Sequence, residues 1–463
     1  MQTKIEKKIA RTVEAIEAFF SKSFYEVNCA PPTLDKAVAK TERKVDGFYF
    51  EFAKMASHTH DQRNSLIYAK SIPVTFSNKA REIQFELQET NYQFSEAIAG
   101  AVSISGKIKE FTTNSLEKFQ NSFYRSIVIT ETSHALSGFF SHNNSLQIGN
   151  TVYGSGVLEL TIRGMALHLF AYTSKETKAS YFIIESRSIC QYADFVPIQD
   201  EIILAIAYLT GTFLGYEIYV VGSETETFER NYVLALKRFF DDLRNGYAAI
   251  PDITLQHQLN AAPQRFSVST LENLIHGILD SVMYKRALLL ICQGHTEPPY
   301  VTSCLYSVAL ETITNRISEE IVEKIRPIKD KEVAKVVRGS LQQALDAYKD
   351  SISEDAFKKI TSDIERLNSP TNKQKLMQPF HHFQIKLSPK DIEAIEKRND
   401  FLHGRIPDNN DRHALPLING RLLFCINSLV LKYAGHNGYV LYFPSMYQFN
   451  NHLEVEEGVI RII

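Results

Sequence analysis

The spacing of apolar residues changes near the middle of the chain, and this change limits the fold more than any other feature of the sequence. From about residue 45 to residue 187 the apolar residues stand in short aromatic or β-branched runs bounded by Gly, Asn, Ser or Thr, as in strands. Leu158, Leu160 and Ile162 alternate with polar residues, which indicates a sheet with one face in water. After about residue 264 the spacing is almost wholly helical.

The sequence predicts particular elements in both parts. Strands are expected at Phe48–Phe52, Ala101–Ser105, Ile127–Ile129, Tyr181–Ile184 and Glu217–Val221. Helices are expected at Ile5–Phe24, Ile198–Phe213 and Glu226–Leu243, and then at 270–293, 300–325, 331–349, 354–368, 389–403 and 415–434. Two further short strands, Tyr439–Phe443 and Val459–Ile463, are expected to pair, and Asn368–Ser388 is expected to be a long loop.

These elements predict an α+β protein of two domains, because 463 residues exceed one ordinary compact domain. Residues 1–255 are expected to form a strand-rich domain, an antiparallel sandwich with flanking helices. Residues 265–463 are expected to form an all-α helical bundle. The segment Gly246–Gln264 contains prolines and a glycine and has little periodicity, so it is the predicted linker.

Composition excludes several classes of function. The formal net charge is -2, so RNA or DNA would have to be attracted by a local patch. The five cysteines are scattered without a CxxC pair, which argues against a disulfide framework or a zinc site. The apolar stretches are too short or interrupted to span a bilayer, and no targeting segment is visible. We therefore expect a cytoplasmic protein that needs no metal, no cofactor and no membrane.

One predicted helix carries polar residues where apolar ones belong. Ser388 and Pro389 are good start signals, and Gly404 is a stop signal, so the helix is expected to cover about Pro389–His403. At about 100° per residue, an apolar stripe forms from Ile392, Ile395 and Leu402. Three polar side chains lie on this stripe or at its borders and require partners or a function, namely Arg398, Asn399 and His403.

The simplest explanation is structural. Arg398 and Asn399 could cap neighbouring helix ends, and His403 could be a hydrogen-bonded core histidine. The complete string Arg-Asn-x-x-x-His-Gly is more specific than its separate residues, with a chance expectation on the order of one in a thousand for this chain. The string therefore favours a common chemical role over three unrelated structural ones.

At Arg398-Asn399-Asp400-Phe401-Leu402-His403 the chain resembles ribonucleases of the HEPN superfamily, which carry an Arg followed by a His after four to six residues. The strand-rich part before a helical part is similar to ApeA-like anti-phage proteins. The segment Tyr306–Glu311 also resembles an early helix of that group. The resemblance covers about Thr270–Tyr433, and Arg405 stands where related toxins carry a modified tyrosine.

The resemblance implies a metal-independent endoribonuclease of RNA, with tRNA as one candidate, that acts in abortive infection. Because imidazole titrates near neutral pH, His403 suits transfer of a proton in either direction. Arg398 would hold the scissile phosphate, and Asn399 would orient His403 or the phosphate. A homodimer would supply two such helices, with Ile395 and Leu402 at the contact between protomers.

Several residues have two interpretations at this stage. Glu311 could support the site or be an ordinary ion-paired helical glutamate. Asp400 and Arg405 are candidate supporting residues. One group of basic residues could either attract RNA locally or form a solvated basic face, namely Lys373, Lys375, Lys386, Lys390, Arg405 and Arg412.

Two other functions remain open. The chain could be a non-catalytic HEPN dimer that binds RNA, a nucleotide or a phage protein, or a structural assembly protein. Whether the HEPN dimer cleaves RNA or only binds a ligand, the N-terminal domain would sense infection, with a phage-derived activator as partner.

Overall fold

A computed structural model describes residues 23–29, 37–44, 47–55, 71–77, 82–88, 92–96, 101–108, 111–113, 120–130, 138–141, 146–148, 151–153, 156–173, 180–212, 217–228, 231–238, 246–405, 412–455 and 457–463. These residues form a mixed α and β protein, and all pairs of named strands are antiparallel. The coarse fold class predicted from the sequence is therefore confirmed.

Most described strands join one sheet. The strands are β1 (Ser23–Cys29), β2 (Val38–Lys44), β3 (Gly47–Met55), β4 (Ser71–Ser77), β5 (Glu82–Gln88), β6 (Tyr92–Glu96), β7 (Ala101–Ile108), β8 (Phe111–Thr113), β9 (Asn121–Thr130), β10 (Leu146–Ile148), β11 (Thr151–Tyr153), β12 (Leu158–Ile162), β13 (Met165–Thr173), β14 (Ser180–Ser186), β15 (Cys190–Gln191), β16 (Glu217–Ser223), β17 (Asn231–Arg238), β18 (Tyr439–Leu441) and β19 (Ile460–Ile462). Their order in the sheet is β12-β13-β14-β9-β16-β17-β8-β5-β4-β1-β2-β3-β7-β6, with β15 on β9. Hydrogen bonds join these strands in one continuous antiparallel order, and the packing of this sheet into a sandwich stays a prediction. β10 pairs with β11, and β18 with β19, in two-stranded ladders.

The described α-helices are concentrated after residue 250. They are α1 (Tyr192–Thr210), α2 (Ile253–Gln258), α3 (Val268–Asp280), α4 (Val282–Gly294), α5 (Pro299–Glu320), α6 (Val322–Ile325), α7 (Lys331–Asp346), α8 (Glu354–Glu365), α9 (Asn372–His382), α10 (Pro389–Leu402), α11 (Ala414–Tyr433) and α12 (Phe443–Asn450). The predicted helices 331–349, 354–368, 389–403 and 415–434 each correspond to one observed helix, whereas the helix predicted at 270–293 is divided into α3 and α4 at Ser281.

The chain divides into two compact units that interleave in sequence. Unit 1 comprises Met1–Ala207, Thr212–Leu243 and Asp252–His276, and unit 2 comprises Tyr208–Gly211, Arg244–Pro251 and Gly277–Ile463. The boundary crosses the chain several times around the predicted linker, which also contains helix α2. The division into domains 1–255 and 265–463 therefore stays a prediction about independent folding.

The alternation of apolar and polar residues predicted strand β12 of unit 1 correctly. β12 has the alternating buried and exposed side chains that its sequence indicated. The predicted helix Ile5–Phe24 lies outside the described residues except for its end, where Phe24 belongs to β1. The predicted helix Glu226–Leu243 is wrong, because Asn231–Arg238 is strand β17. That segment pairs along its length with β16, and sheet pairing overrides its helical propensity.

The predicted loop Asn368–Ser388 is also wrong, since it contains helix α9. A capping box starts this helix, with Thr371 and Gln374 exchanging side-chain and backbone hydrogen bonds. Pro379 lies inside the helix and has no N–H for the carbonyl of Lys375. The hydroxyl of Ser318 donates to that carbonyl at 2.8 Å, so the helix continues past the proline without an unpaired carbonyl there.

Helix α11 is the core helix of unit 2. It packs against α5, α10 and α12, and its residues from Ile418 to Leu431 are buried. Its 18-residue apolar window has a mean hydropathy of 1.6 and is long enough to cross a membrane, but 78% of that window is buried inside the protein. Burial in the core explains why this helix is so apolar.

Histidines whose pKa is lowered by burial make the stability of the protein depend on pH, and His168 and His436 are two of them. Burial lowers the pKa of His168 in unit 1 and of His436 in unit 2 to about 4, with further lowering from Arg187 and Lys432 respectively. As pH falls below 6.5 the unfolded chain takes up a proton that the folded chain resists until about pH 4, so stability falls through this window.

We expect the unfolding free energy to fall by about 2 kcal/mol per such histidine between pH 7 and pH 5. Urea denaturation of the wild type and of His436→Gln at both pH values, followed by circular dichroism, measures this. The variant should lose about 2 kcal/mol less than the wild type. Identical losses in the two proteins would contradict the assignment to His436.

Candidate active site

Helix α10 begins as its sequence predicted. Ser388 is the N-cap: its hydroxyl accepts from the backbone N–H of Asp391 at 3.3 Å, and the carboxylate of Asp391 accepts from the N–H of Ser388 at 2.9 Å. Pro389 occupies the first turn, where its missing N–H costs nothing. The start of the helix is therefore fixed by local hydrogen bonds.

Asp391 also anchors this helix to the rest of unit 2, a role that the sequence did not indicate. Its carboxylate is fully buried; Oδ2 lies 2.7 Å from Nη1 of Arg461, and Oδ1 accepts from the Tyr442 hydroxyl at 3.0 Å. Nη1 of Arg421 donates to the same hydroxyl at 2.5 Å and lies 3.5 Å from Oδ1. Glu457 approaches Arg461 at 3.2 Å. The one signal available was the charged Arg421 inside the apolar run of α11.

The helix ends one residue earlier than predicted, at Leu402. His403 is the C-cap, and its backbone N–H bonds to the carbonyls of Asn399 and Asp400 at 3.2 and 3.1 Å. Gly404 has φ +70, a left-handed conformation that favours glycine. The glycine therefore turns the chain immediately after the imidazole.

The buried face of α10 differs from the predicted apolar stripe. Ala394, Ile395 and Phe401 are buried within unit 2, whereas Ile392 is 36% exposed. Ile395 has no exposed surface and cannot lie at a contact between protomers, so this part of the prediction is corrected. Leu402 is half-buried and remains available for such a contact.

Arg398 lies on the same inward side of the helix as Ile395, and its side chain is only 14% exposed. Its Nε is 3.2 Å from Oε1 of Glu311, but the direction of the N–H is poor, so Nε is buried without a hydrogen bond. Its Nη1 donates to the carbonyl of Ile395 at 3.1 Å. The guanidinium is thus held from two sides, and its hydrogen-bonding capacity is not used up within the described residues.

Glu311 reaches Arg398 from helix α5. The two helices pack together, and the Cys304 thiol on α5 lies 3.5 Å from the carbonyl of Phe401. The side chain of Glu311 is 39% exposed. Glu311 is therefore an ion-paired helical glutamate whose partner is Arg398, and its support of a catalytic site stays a prediction.

The side chains of Asn399 and His403 are exposed. Within the part of the chain that the structure describes, neither makes a side-chain hydrogen bond or ion pair. Among the described residues, the hydrogen bond between Asn399 and His403 joins backbone atoms, so no hydrogen bond from the Asn399 side chain orients the imidazole within one chain. The structure therefore brings Glu311 to Arg398 but leaves His403 and Asn399 presented to solvent.

The other candidate residues are weakly engaged. Asp400 and Arg405 approach at 3.6 Å, with 49% and 74% of their side chains exposed, so little energy is expected from this pair. Lys373 lies 3.7 Å from Glu396 of α10, and Arg412 donates to His413 at 3.1 Å. Part of the predicted basic face is thus already paired.

Among the described residues, no group of three or more His, Cys, Asp or Glu side chains could hold a metal ion. Comparisons with protein-family models, with curated proteins and with solved structures found no match to this chain. The resemblance to HEPN ribonucleases accordingly stays a prediction that rests on the residues of α10 and α5.

Proposed function

We propose that this protein is a cytoplasmic, metal-independent endoribonuclease of HEPN type that acts as a homodimer in defence against phage. The observation that carries the proposal is an exposed His403 without a side-chain partner among the described residues, at the end of a helix that also holds the half-buried Arg398. A polar pair of this kind on one helix end suits a phosphodiester substrate better than a purely structural role.

The proposed reaction uses two proton transfers. One imidazole takes the proton of the ribose 2′-hydroxyl as its oxygen attacks the adjacent phosphorus, and a second imidazole donates a proton to the departing 5′-oxygen. Arg398 binds the non-bridging phosphate oxygens, where negative charge increases in the transition state. The products are a 2′,3′-cyclic phosphate and a 5′-hydroxyl end.

A second copy of the chain would supply the second imidazole. Each chain contributes one His403, and the side chains around it, Asn399 and the half-buried Leu402, are accessible to a partner. Ile392, at 36% exposure, adds apolar surface on the same helix. In the dimer, Asn399 would hydrogen-bond the phosphate or the partner's imidazole.

One observation favours a second candidate function, a HEPN dimer that binds RNA, a nucleotide or a phage protein without cleaving it. The ion pair with Glu311 partly neutralises Arg398 and competes with a phosphate for it. In the enzyme, the same ion pair positions the guanidinium before RNA arrives. The two functions differ in whether RNA is cut.

The test is an incubation of the purified wild-type protein with tRNA or total RNA in excess EDTA. Cleavage with 2′,3′-cyclic phosphate and 5′-hydroxyl ends supports the proposal. Retention of intact RNA points to the binding protein, and cleavage only after a divalent metal is added contradicts the metal-independent mechanism.

A regulatory role for the N-terminal part belongs to the same proposal. Restraint of the nuclease until a phage-derived activator binds would explain the fusion of a large strand-rich part to a toxic activity. Removal of the residues before about 264 should then raise toxicity in cells; unchanged or lower toxicity contradicts restraint.

Arg398→Lys is expected to lower kcat/KM for RNA cleavage by roughly 10- to 100-fold. Lysine keeps the positive charge but cannot bind two phosphate oxygens through a planar fork or retain the same approach to Glu311. The matched control is Arg405→Lys, whose exposed and weakly paired side chain should matter less than twofold. Full activity of Arg398→Lys would show that the fork does not contact the phosphate.

A further inference from the structure

Unit 2 contains a cavity that the proposed nuclease site does not use. Its volume is about 310 Å³, at the lower end of the range for small-molecule sites. Among its lining residues, the aromatic ones are Tyr247, Tyr306, Phe443 and Tyr447, joined by the imidazole of His295.

The rings that line the cavity stand at angles to one another. Tyr247 and His295 have centroids 5.1 Å apart and planes 84° apart, and His295 and Tyr306 are related by 6.2 Å and 76°. Tyr247 and Phe443 lie 4.7 Å apart at 47°. The rings are thus inclined to one another around the cavity and are not stacked in parallel.

Two glycines let these walls approach the backbone closely. A Cβ on Gly246 would lie 2.1 Å from Cδ2 of His295, and a Cβ on Gly294 would lie 2.5 Å from Cε1 of Tyr306. The ring positions therefore depend on the absence of side chains at 246 and 294. The Tyr306 hydroxyl also lies 2.8 Å from Nδ1 of His295, which fixes one ring against the other.

The electrostatics of the cavity favour a positive guest. Among the described residues no lysine or arginine lines it, and Glu297 is the one carboxylate that does. Burial lowers the pKa of His295 to about 4, so this imidazole is neutral at physiological pH. Aromatic rings attract cations through the negative charge of their faces, and a nearby carboxylate adds to this attraction.

We propose that this cavity binds a small organic cation with a methylated or otherwise alkylated ammonium group. The rings of Tyr247, Tyr306 and Phe443 surround the cation, and Glu297 supplies the opposite charge. Tyr247 is 53% exposed and Glu297 is exposed, so both stand where a ligand enters from solvent. An anionic guest such as a nucleotide would find no counter-charge among the lining residues that the structure describes.

Helix α5 lines the cavity and also contacts α10, the helix that carries Arg398 and has His403 as its C-cap. Thr302 and Tyr306 line the cavity, whereas Cys304 and Glu311 contact α10. At about 100° per residue these two pairs fall on opposite faces of α5. A ligand in the cavity would therefore touch α5, whose Glu311 pairs with Arg398, without occupying the proposed nuclease site.

The test compares choline with 3,3-dimethyl-1-butanol, which has the same shape but a carbon atom in place of the charged nitrogen. Isothermal titration of the full chain with each probe should give saturable choline binding, roughly tenfold tighter than that of the neutral probe. No saturable choline binding below about 10 mM, or equal affinity for both probes, overturns the proposal.

Two substitutions locate the binding within the cavity. Glu297→Gln and Tyr247→Leu change exposed side chains, and each is expected to weaken choline binding at least threefold while the neutral probe is unaffected. The control Glu319→Gln removes an exposed carboxylate from α5 outside the cavity and should leave choline binding unchanged. If all three variants bind choline like the wild type, the cation binds elsewhere and the proposal fails.

Discussion

His403→Ala is expected to lower the rate of RNA cleavage by about 10²- to 10⁴-fold. In the proposed reaction the imidazole is the group that takes up and donates the proton. Its side chain is exposed and makes no hydrogen bond or ion pair within the described residues, so its removal should not disturb the packing of unit 2. Single-turnover cleavage of tRNA in excess EDTA measures the effect.

The control for this prediction is His257→Ala. This residue is also an exposed histidine near the end of a helix, but it lies in unit 1 and outside the motif. It should retain wild-type activity. Equal cleavage by the wild type and His403→Ala would remove His403 from the mechanism, and circular dichroism of the variants checks that both are folded.

Asp391→Ala is expected to lower the unfolding free energy of unit 2 by about 3–5 kcal/mol, because it leaves two buried or half-buried arginines without their shared carboxylate. Arg421 is 7% exposed and Arg461 is 18% exposed. The substitution also removes the partner of the Ser388 N–H at the start of α10. Urea denaturation followed by far-ultraviolet circular dichroism measures the loss.

Glu393→Ala is the matched control on the same helix. Its exposed carboxylate pairs with Lys397 at 2.7 Å, one turn further along, and its pKa is lowered by that lysine. An exposed pair of this kind contributes less than about 1 kcal/mol. If Asp391→Ala and Glu393→Ala lose the same small stability, the buried network does not anchor the helix.

The two substitutions also separate structure from chemistry at the candidate site. Asp391 lies at the beginning of α10, where it anchors the helix, and His403 lies at its end, where we propose that it transfers protons. We expect Asp391→Ala to lose stability together with activity, and His403→Ala to lose activity alone. Measuring the stability and the cleavage rate of both variants therefore distinguishes a structural role from a chemical one.

Local sequence determined the elements whose signals lie within a few residues. The alternation of Leu158, Leu160 and Ile162 predicted a strand with one wet face, and Ser388 with Gly404 predicted the limits of α10 to within one residue. These predictions succeed because caps, turns and side-chain periodicity depend on neighbouring residues of the chain.

The tertiary structure decided what depends on residues distant in sequence. Pairing with β16 made a strand of Asn231–Arg238 despite its helical composition, and the Ser318 hydroxyl satisfied the carbonyl that Pro379 leaves unpaired in α9. The pairing of Glu311 with Arg398, 87 positions later, likewise follows from the packing of α5 on α10. The sequence alone determined that an arginine and a histidine share one helix end. Only packing decided that the arginine is held inside while the histidine faces solvent, because burial depends on which helices cover each face.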